Sequence, residues 1–304
     1  MAGPSIASRL LPLYLRAARV QRRLATRTAA EQHLRSRTLR PRPFGPPRRL
    51  RPDVVIGVDH VGAWPVYTIT PAAGPIRGGL VYVHGGAWVN EISPQHWQLA
   101  AQLSAEAALS VTVPIYPLVP HGTAADVVAG VVDLVLASRQ AHGPTSLAGD
   151  SAGGQIALSA ALQLRDLHEV VLPQTILIAP ALDLSLRNPR IPAVQPSDPW
   201  LAREGTRLFI EHWRADLPLH DPRVSPLSGD LRGLGPLMLF IGTRDILNPD
   251  AHLLREKASA AGVPLEFHEG EGLVHVYPLT PTPEGRHARS RIVEQLRTAH
   301  PAVG

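Results

Sequence analysis

Apolar and polar residues follow two different periods along most of this 304-residue chain. From Val54 onward, short apolar runs of strand length are followed by longer segments with apolar residues at helical spacing. Strands that alternate with helices favour a mostly parallel sheet with helices on both faces. Hydrophobic residues make up 44% and charged residues 18%, a balance typical of a globular domain. We therefore expect a single α/β catalytic domain over residues 53–304.

A serine flanked by glycines lies between one predicted strand and the next predicted helix. The apolar run 146–148 leads into Gly149-Asp150-Ser151-Ala152-Gly153, and a helix-like run follows over 155–164. This is the G-x-S-x-G pattern of a nucleophile elbow, in which a sharp turn exposes the serine Oγ. Side chains two positions from the serine would collide in such a turn, which explains the glycines. Ser151 is the predicted nucleophile, and the N–H of Ala152 is a predicted oxyanion donor.

A second glycine-containing loop follows the apolar strand 80–83. Its sequence is His84-Gly85-Gly86-Ala87-Trp88. Glycines let backbone N–H groups approach a substrate oxygen closely. We expect Gly85, Gly86 and Ala87 to form an oxyanion hole together with Ala152. The alternative is an ordinary glycine-rich turn after a strand.

A nucleophilic serine needs a base and an orienting acid, and in strand–elbow–helix folds these follow the serine in the order acid, histidine. Asp245 ends the apolar run 237–241, and His275 lies in a glycine-rich loop after the run 265–267. Open α/β sheets place their sites beyond the carboxyl ends of the strands, where both residues are expected. Asp245 is therefore the predicted acid and His275 the predicted base.

Both roles have alternatives. Asp250 falls in the first turn of a predicted helix, where an acid interacts favourably with the helix dipole. Asp183 follows the predicted strand 175–181 and remains an alternative acid. His268 lies within its strand, a position typical of packing or of a solvent-facing side chain.

Five motifs together resemble the hormone-sensitive-lipase family of esterases, over roughly residues 60 to 295. The resemblance implies an α/β-hydrolase fold with a helical cap, and a serine carboxylic ester hydrolase that acts on short to medium acyl esters. It implies the roles given above for Ser151, Asp245 and His275, with a small-molecule ester or lipid as substrate. The motifs are His84-Gly85-Gly86, Gly149-Asp150-Ser151-Ala152-Gly153-Gly154, Asp221-Pro222-Arg223-Val224-Ser225-Pro226-Leu227, Gly242-Thr243-Arg244-Asp245-Ile246-Leu247 and Glu271-Gly272-Leu273-Val274-His275.

The chain departs from the family pattern at two places. Ala87 replaces the third glycine of the oxyanion loop, and its methyl group is expected to narrow the acyl pocket. The family's Y-R-L-A-P-E stretch is Tyr116-Pro117-Leu118-Val119-Pro120-His121 here, so the ion pair of that arginine and acid is absent.

The first 52 residues differ in charge from the rest. They hold 13 Arg and one acid, Glu31, whereas the remaining chain holds 17 Lys and Arg against 24 acids. The catalytic body is therefore acidic, which disfavours nucleic-acid binding. Leu13, Ala17, Val20 and Leu24 recur at helical spacing among arginines, which predicts a basic amphipathic helix.

Three roles are open for this basic segment. It is a piece of the cap, as N-terminal helices are in related hydrolases, or a contact to a membrane surface, or a solvated arm or transit peptide.

Residues 40–52, rich in Arg and Pro, are expected to be a linker. Residues 183–220 are a candidate second cap segment, in which Trp200 and Phe209 would wall an apolar pocket together with Trp88. Ordinary core packing is the alternative for these aromatic residues.

The composition excludes several classes of chemistry. The absence of cysteine excludes disulfides and thiolate sites, and the single lysine, Lys257, follows no glycine-rich loop, which excludes a P-loop. No H-E-x-x-H motif is present, so we expect neither a metal nor a cofactor.

The apolar run 10–15 is too short for a secretory or membrane-spanning segment, which predicts a cytoplasmic protein with peripheral membrane contact as an alternative.

Two classes of function therefore remain. The first is a serine esterase, and the second is a non-catalytic binding protein on the same scaffold. A binding protein would be expected to lose a member of the triad, and all three are present. A peptidase is a third alternative, against which the oxyanion loop argues.

Overall fold

A computed structural model describes residues 3–302 of the chain. Eight strands form one sheet, and helices connect them along the chain. The strands are β1 Val54–Val61, β2 Trp64–Pro71, β3 Gly79–Val83, β4 Ser110–Pro114, β5 Thr145–Asp150, β6 Thr175–Ile178, β7 Leu237–Gly242 and β8 Leu265–Gly270. The helices are α1 Ile6–Ala17, α2 Arg27–Leu39, α3 Pro94–Ala107, α4 Ala124–His142, α5 Ala152–His168, α6 Ile191–Val194, α7 Arg203–Arg214, α8 Asn248–Ala260 and α9 Pro283–Ala299, with 3₁₀ turns at Val20–Arg23, Pro226–Ser228 and Tyr277–Leu279.

The sheet has the strand order β1-β2-β4-β3-β5-β6-β7-β8. The pairs β1–β2 and β2–β4 are antiparallel, and all others are parallel, which confirms the predicted mostly parallel sheet. Every residue of β3 to β7 is buried, as expected for strands covered on both faces. Strand β6 is shorter than predicted because Ala179 adopts a positive φ of 46° and Pro180 cannot continue the ladder.

The connections place helices on both faces of the sheet. The crossover from β3 to β4 runs toward one edge, whereas those from β4 to β5 and onward run toward the other. Right-handed crossovers therefore put α3 on one face and α4 and α5 on the opposite face. Helix α9 packs against α3, and α4 packs against α5. β3 and β5 are parallel neighbours, and between them the order in which strands are added to the sheet changes direction, so the loops after these two strands lie side by side at the carboxyl edge.

The N-terminal segment and residues 183–220 pack on each other beside this carboxyl edge; we call residues 3–39 and 183–220 together the cap. Gly205 donates its N–H to the carbonyl of Leu24 at 2.9 Å, and a Cβ at Gly205 would lie 2.6 Å from that backbone. Arg27 of α2 pairs with Glu211 of α7 at 2.8 Å. These contacts join two parts of the chain that are far apart in sequence.

The predicted basic helix is shorter than its sequence pattern suggests. Helix α1 ends at Ala17, and Arg19 adopts a left-handed conformation with φ 55° before the 3₁₀ turn. The periodicity of Leu13, Val20 and Leu24 therefore does not run along one helix. Leu24 is buried and Val20 half-buried, but Leu13 is exposed, so these residues do not form the single apolar face of an amphipathic helix. Helix α1 instead packs through its buried residues Ser8, Pro12 and Leu15.

Residues 40–52 contain no helix or strand, as expected for a linker, but they contact the body. The carbonyl of Phe44 accepts the indole N–H of Trp97 at 3.1 Å. Arg51 pairs with Glu106 of α3 at 2.9 Å. This segment therefore has fixed contacts along its length.

Candidate active site

Ser151 lies at the turn between β5 and α5, with φ 53° and ψ −116°. This strained conformation is sterically possible because the residues two positions before and after Ser151, Gly149 and Gly153, have no side chains. A Cβ at Gly149 would lie 2.2 Å from the carbonyl oxygen of Gly153, and one at Gly153 would lie 2.0 Å from that of Val83. The backbone therefore forms the predicted elbow, and Ser151 Oγ is aimed at the loop after β8.

The predicted acid and base meet Ser151 at the carboxyl edge of the sheet. His275 Nε2 lies 2.9 Å from Ser151 Oγ, and His275 Nδ1 lies 2.6 Å from Asp245 Oδ2. With its proton on Nδ1 donated to Asp245, the imidazole leaves Nε2 free to accept the serine proton. Asp245 is itself oriented by the N–H of Leu247, which its Oδ1 accepts at 2.9 Å.

The electrostatic surroundings favour the protonated form of His275. Burial alone would lower the pKa of His275, but the charge and hydrogen bond of Asp245 raise it above the ordinary value of 6.5. Asp198 and Asp150 add to this effect. The site therefore stabilises the imidazolium that forms when the base takes a proton.

The alternatives weighed from the sequence lie elsewhere. Asp183 caps the turn at Ser185 through bonds of 2.9 Å to its N–H and hydroxyl. Asp250 lies in the first turn of α8 as predicted, but its carboxylate is buried, accepts from Asn188 at 2.8 Å, and has its pKa raised by burial to about 6. His268 stacks on Phe240 with ring centroids 4.5 Å apart. None of the three contacts Ser151 or His275.

The loop after β3 supplies backbone N–H groups next to the elbow. Gly86, Ala87 and Trp88 all have positive φ, of 128°, 53° and 58°. Among the described residues, no acceptor is bonded to the N–H of Gly86 or Ala87, and Ala152 is the first residue of α5, where an N–H has no intrahelical acceptor. The N–H of Gly85 differs, because it already donates to Asp150 Oδ1 at 3.0 Å. Gly86, Ala87 and Ala152 thus keep their N–H donors available. The prediction that Gly85 belongs to the oxyanion hole was wrong, because its N–H already donates to Asp150.

A buried polar network fixes this loop, and sequence reasoning did not find it. Asp150 Oδ1 also accepts the hydroxyl of Tyr82 at 2.7 Å, and its Oδ2 lies 3.2 Å from His96 Nε2. Tyr116 donates its hydroxyl to the carbonyl of His84 at 2.7 Å and stacks on that imidazole at 4.6 Å. The only sequence signal was the position of Asp150 inside the elbow, since the partners come from four separate elements.

A small apolar cavity of about 20 Å³ adjoins Ser151 on one side. Its wall includes Ala87 and Trp88 from the oxyanion loop and Leu201 and Ile210 from the cap. The indole of Trp88 is held in place by a hydrogen bond that it donates to Gln155 at 3.1 Å and by stacking on Trp213. A cavity of this size has room for about one water molecule.

A larger cleft of about 550 Å³ opens on the other side of Ser151 and His275. Trp200 borders it and meets His275 edge-on, with ring centroids 6.0 Å apart. Of the three aromatic residues predicted to wall a pocket, Trp88 lines the small cavity and Trp200 the cleft. Phe209 borders neither, because it is buried against the ring of His33 on α2.

Fold and site together define an α/β-hydrolase with a serine elbow. Residues 80–279 match the family model described as alpha/beta hydrolase fold. A triacylglycerol lipase of Mycobacterium tuberculosis is 33% identical over 237 residues, which are 77% of this chain and 49% of that lipase. An acetyl-hydrolase of Streptomyces hygroscopicus is 30% identical over 256 residues, which are 82% of this chain and 83% of that protein. The chain therefore spans about half the length of the lipase and most of the acetyl-hydrolase.

A solved structure described as an esterase from the bacterial hormone-sensitive lipase family superimposes with a TM-score of 0.79 at 25% identity, covering 98% of this chain and 99% of that one. The chain belongs to the hormone-sensitive-lipase family of α/β-hydrolases, as its motifs predicted. No helix among residues 3–302 combines the length and apolarity that a bilayer-spanning segment needs.

Proposed function

We propose that this carboxylic ester hydrolase uses Ser151 as nucleophile, His275 as general base and Asp245 as orienting acid. The observation that carries the proposal is the chain of two hydrogen bonds from Ser151 Oγ through His275 to Asp245, at 2.9 and 2.6 Å. A non-catalytic binding protein has no use for this alignment on a strained elbow. The intact arrangement therefore favours catalysis over binding.

The reaction proceeds in two steps on this arrangement. Ser151 Oγ attacks the carbonyl carbon of the ester while His275 Nε2 takes the hydroxyl proton. The oxyanion is held by the N–H groups of Gly86, Ala87 and Ala152. The carbon–oxygen bond to the alcohol breaks, and His275 returns the proton to the leaving alcohol. Water then attacks the acyl-enzyme by the same route and releases the acid.

The two cavities suggest how an ester is seated. The cavity of about 20 Å³ beside Ala87 suits a short acyl group, whereas the cleft of about 550 Å³ has room for a larger alcohol. A longer acyl chain would have to displace Leu201 or Ile210 of the cap. We therefore propose short to medium acyl esters as substrates, in keeping with the name of the acetyl-hydrolase relative.

Hydrolysis of p-nitrophenyl esters of increasing acyl length tests this proposal, with Ser151→Ala as the matched control. We expect acetyl esters to be hydrolysed fastest and the rate to fall toward hexanoyl esters, whose chains must displace Leu201 or Ile210, and the control to be inactive on all of them. An active Ser151→Ala enzyme would refute the nucleophile, whereas a preference for long acyl chains would refute only the seating of the acyl group.

We further propose that the basic N-terminal segment contacts a membrane surface while it forms part of the cap. Helix α1 packs on the body through one face and leaves Ile6, Leu10, Leu13 and Tyr14 exposed on the other. Five exposed arginines lie on this helix or in the turn that follows it: Arg9, Arg16, Arg19, Arg22 and Arg23. An apolar stripe with a basic border suits the interface of an anionic lipid layer. Tyr14 also borders the cleft, so this orientation would turn the cleft toward the lipid.

A further inference from the structure

Asp198 is a buried carboxylate of the cap that lies beside the triad and has no role in the reaction described above. Its side chain is only 2% exposed. Oδ1 accepts the N–H of Trp200 at 2.7 Å and of Leu201 at 2.9 Å, and this forms a turn. Oδ2 accepts the N–H of Ile246, the residue after Asp245, at 2.9 Å. One carboxylate therefore attaches the cap to the loop that carries the acid.

Both neighbours of the imidazole depend on this attachment. The turn held by Asp198 Oδ1 places Trp200 edge-on against His275, with an interplanar angle of 74°. The bond from Ile246 fixes the backbone next to Asp245, whose carboxylate is bonded to His275 Nδ1. The imidazole ring is thus bounded by two groups that share Asp198 as their support.

Burying the charged carboxylate of Asp198 beside Asp245 is also unfavourable, which argues that the charge contributes to function. Burial and the nearby charge of Asp245 raise the pKa of Asp198 well above the ordinary value. Three backbone N–H donors offset part of that cost. An imidazolium on His275 would offset more of it, since Asp245, Asp198 and Asp150 are the carboxylates that act on this ring.

We infer that Asp198 is a positioning residue that holds the imidazole of His275 between Trp200 and Asp245. This inference rests on the proposed triad. The charge of Asp198 contributes to the raised pKa of His275, so removing the carboxylate changes the pH dependence as well as the rate.

The test compares wild type with Asp198→Asn, whose side-chain oxygen can still accept the turn amides but whose NH₂ group faces Ile246. Rates of p-nitrophenyl butyrate hydrolysis are normalised to active sites that are titrated with a p-nitrophenyl organophosphate. We expect kcat to fall about 10- to 100-fold with KM changed less than threefold, since small misplacements of a catalytic group cost this much. The acidic limb of kcat/KM should move to lower pH, because a negative charge near His275 is lost.

Two further variants keep the test decisive. Asp183→Asn removes a carboxylate from the same cap segment without touching the triad and should match wild type. Asp198→Ser, whose hydroxyl can accept the turn amides, serves if the asparagine variant does not fold. An unmoved acidic limb and unchanged kcat per titrated site would overturn the inference, as would failure of both Asp198 variants to fold, which would indicate a purely structural role. An active Ser151→Ala enzyme would instead refute the triad on which the inference rests.

Discussion

Ser151, His275 and Asp245 are linked by hydrogen bonds of 2.9 and 2.6 Å, so single substitutions at these residues should have coupled effects. We expect Ser151→Ala or His275→Ala each to lower kcat by about 10⁴- to 10⁶-fold, and the double variant to be little worse, because the groups act as a unit. Asp245→Asn should also be severe, since the wrong tautomer of His275 would be favoured. Steady-state kinetics with p-nitrophenyl butyrate measure these losses. A near-normal Asp245→Asn enzyme would contradict the assignment of the acid.

The pH dependence follows from the same three residues. His275 acts as base only when neutral, and its carboxylate neighbours raise its pKa above 6.5. The active fraction therefore grows as the pH rises through this raised pKa, and kcat/KM should increase along a limb centred above about 6.5. A pH series on a soluble ester measures this limb. A midpoint clearly below 6, or activity that falls as the pH rises from 6 to 8, would disagree with the carboxylate surroundings of the histidine.

At this scale the catalytic residues could be predicted from the sequence, whereas the residues that position them could not. Ser151, Asp245 and His275 stand in local patterns of glycines and apolar runs, so their positions can be inferred from neighbours along the chain. Asp198 and Tyr82 reach the site through hydrogen bonds to residues 48 and 68 positions away, Ile246 and Asp150. Such contacts depend on tertiary packing, which no short pattern encodes.

Among the elements, the oxyanion loop shows a departure from the family pattern with a measurable consequence. The methyl group of Ala87 borders both the small cavity and the cleft, and Ala87 has a φ of 53°, which favours glycine. Ala87→Gly should therefore improve hydrolysis of hexanoyl and octanoyl esters relative to acetyl. One methylene-sized change in an apolar pocket is worth about 1 to 3 kcal/mol, or 10- to 200-fold.

The measurement is the ratio of kcat/KM between octanoyl and acetyl p-nitrophenyl esters for both enzymes. A chain-length profile that Ala87→Gly leaves unchanged would show that the methyl group does not limit the acyl side.

Helix α1 shows where element-scale prediction failed. The apolar spacing of Leu13, Ala17, Val20 and Leu24 predicted one helix with one buried face. The structure breaks the helix after Ala17, and the left-handed turn at Arg19 directs the following residues elsewhere. Arginine rarely adopts such a conformation, so no local pattern of residues indicated the break. By contrast, the strands around the elbow were predicted to within a few residues, because their apolar runs are continuous.

For the whole molecule, the division into a basic segment and an acidic body predicts salt-dependent membrane binding. Leu10 and Leu13 are 56% and 58% exposed on α1 and do not border the cleft. The double variant Leu10→Ser/Leu13→Ser should lose binding to phosphatidylglycerol vesicles while its kinetics on a soluble ester stay normal. Wild-type binding should weaken as salt rises, because each nearby arginine contributes about 1 kcal/mol of screened attraction.

A matched control is offered by Leu167 and Val171, which are 69% and 55% exposed outside the basic segment. Leu167→Ser/Val171→Ser should bind vesicles as wild type does. Vesicle cosedimentation at low and high salt measures both variants. Equal binding of the two double variants, or no wild-type binding at any salt concentration, would reject the membrane contact and leave α1 as a cap element alone.

The central claim is that ester hydrolysis passes through a covalent bond to Ser151, and stoichiometric labelling tests it most directly. The full chain would be treated with diethyl p-nitrophenyl phosphate, which transfers its phosphoryl group to an activated serine, and the label located by peptide mass spectrometry. We predict release of about one p-nitrophenol per chain, loss of esterase activity in step with it, and a single adduct on the peptide that contains Ser151, with none on Ser151→Ala. Full activity after labelling, or an adduct on another residue that accompanies the loss of activity, would contradict the account.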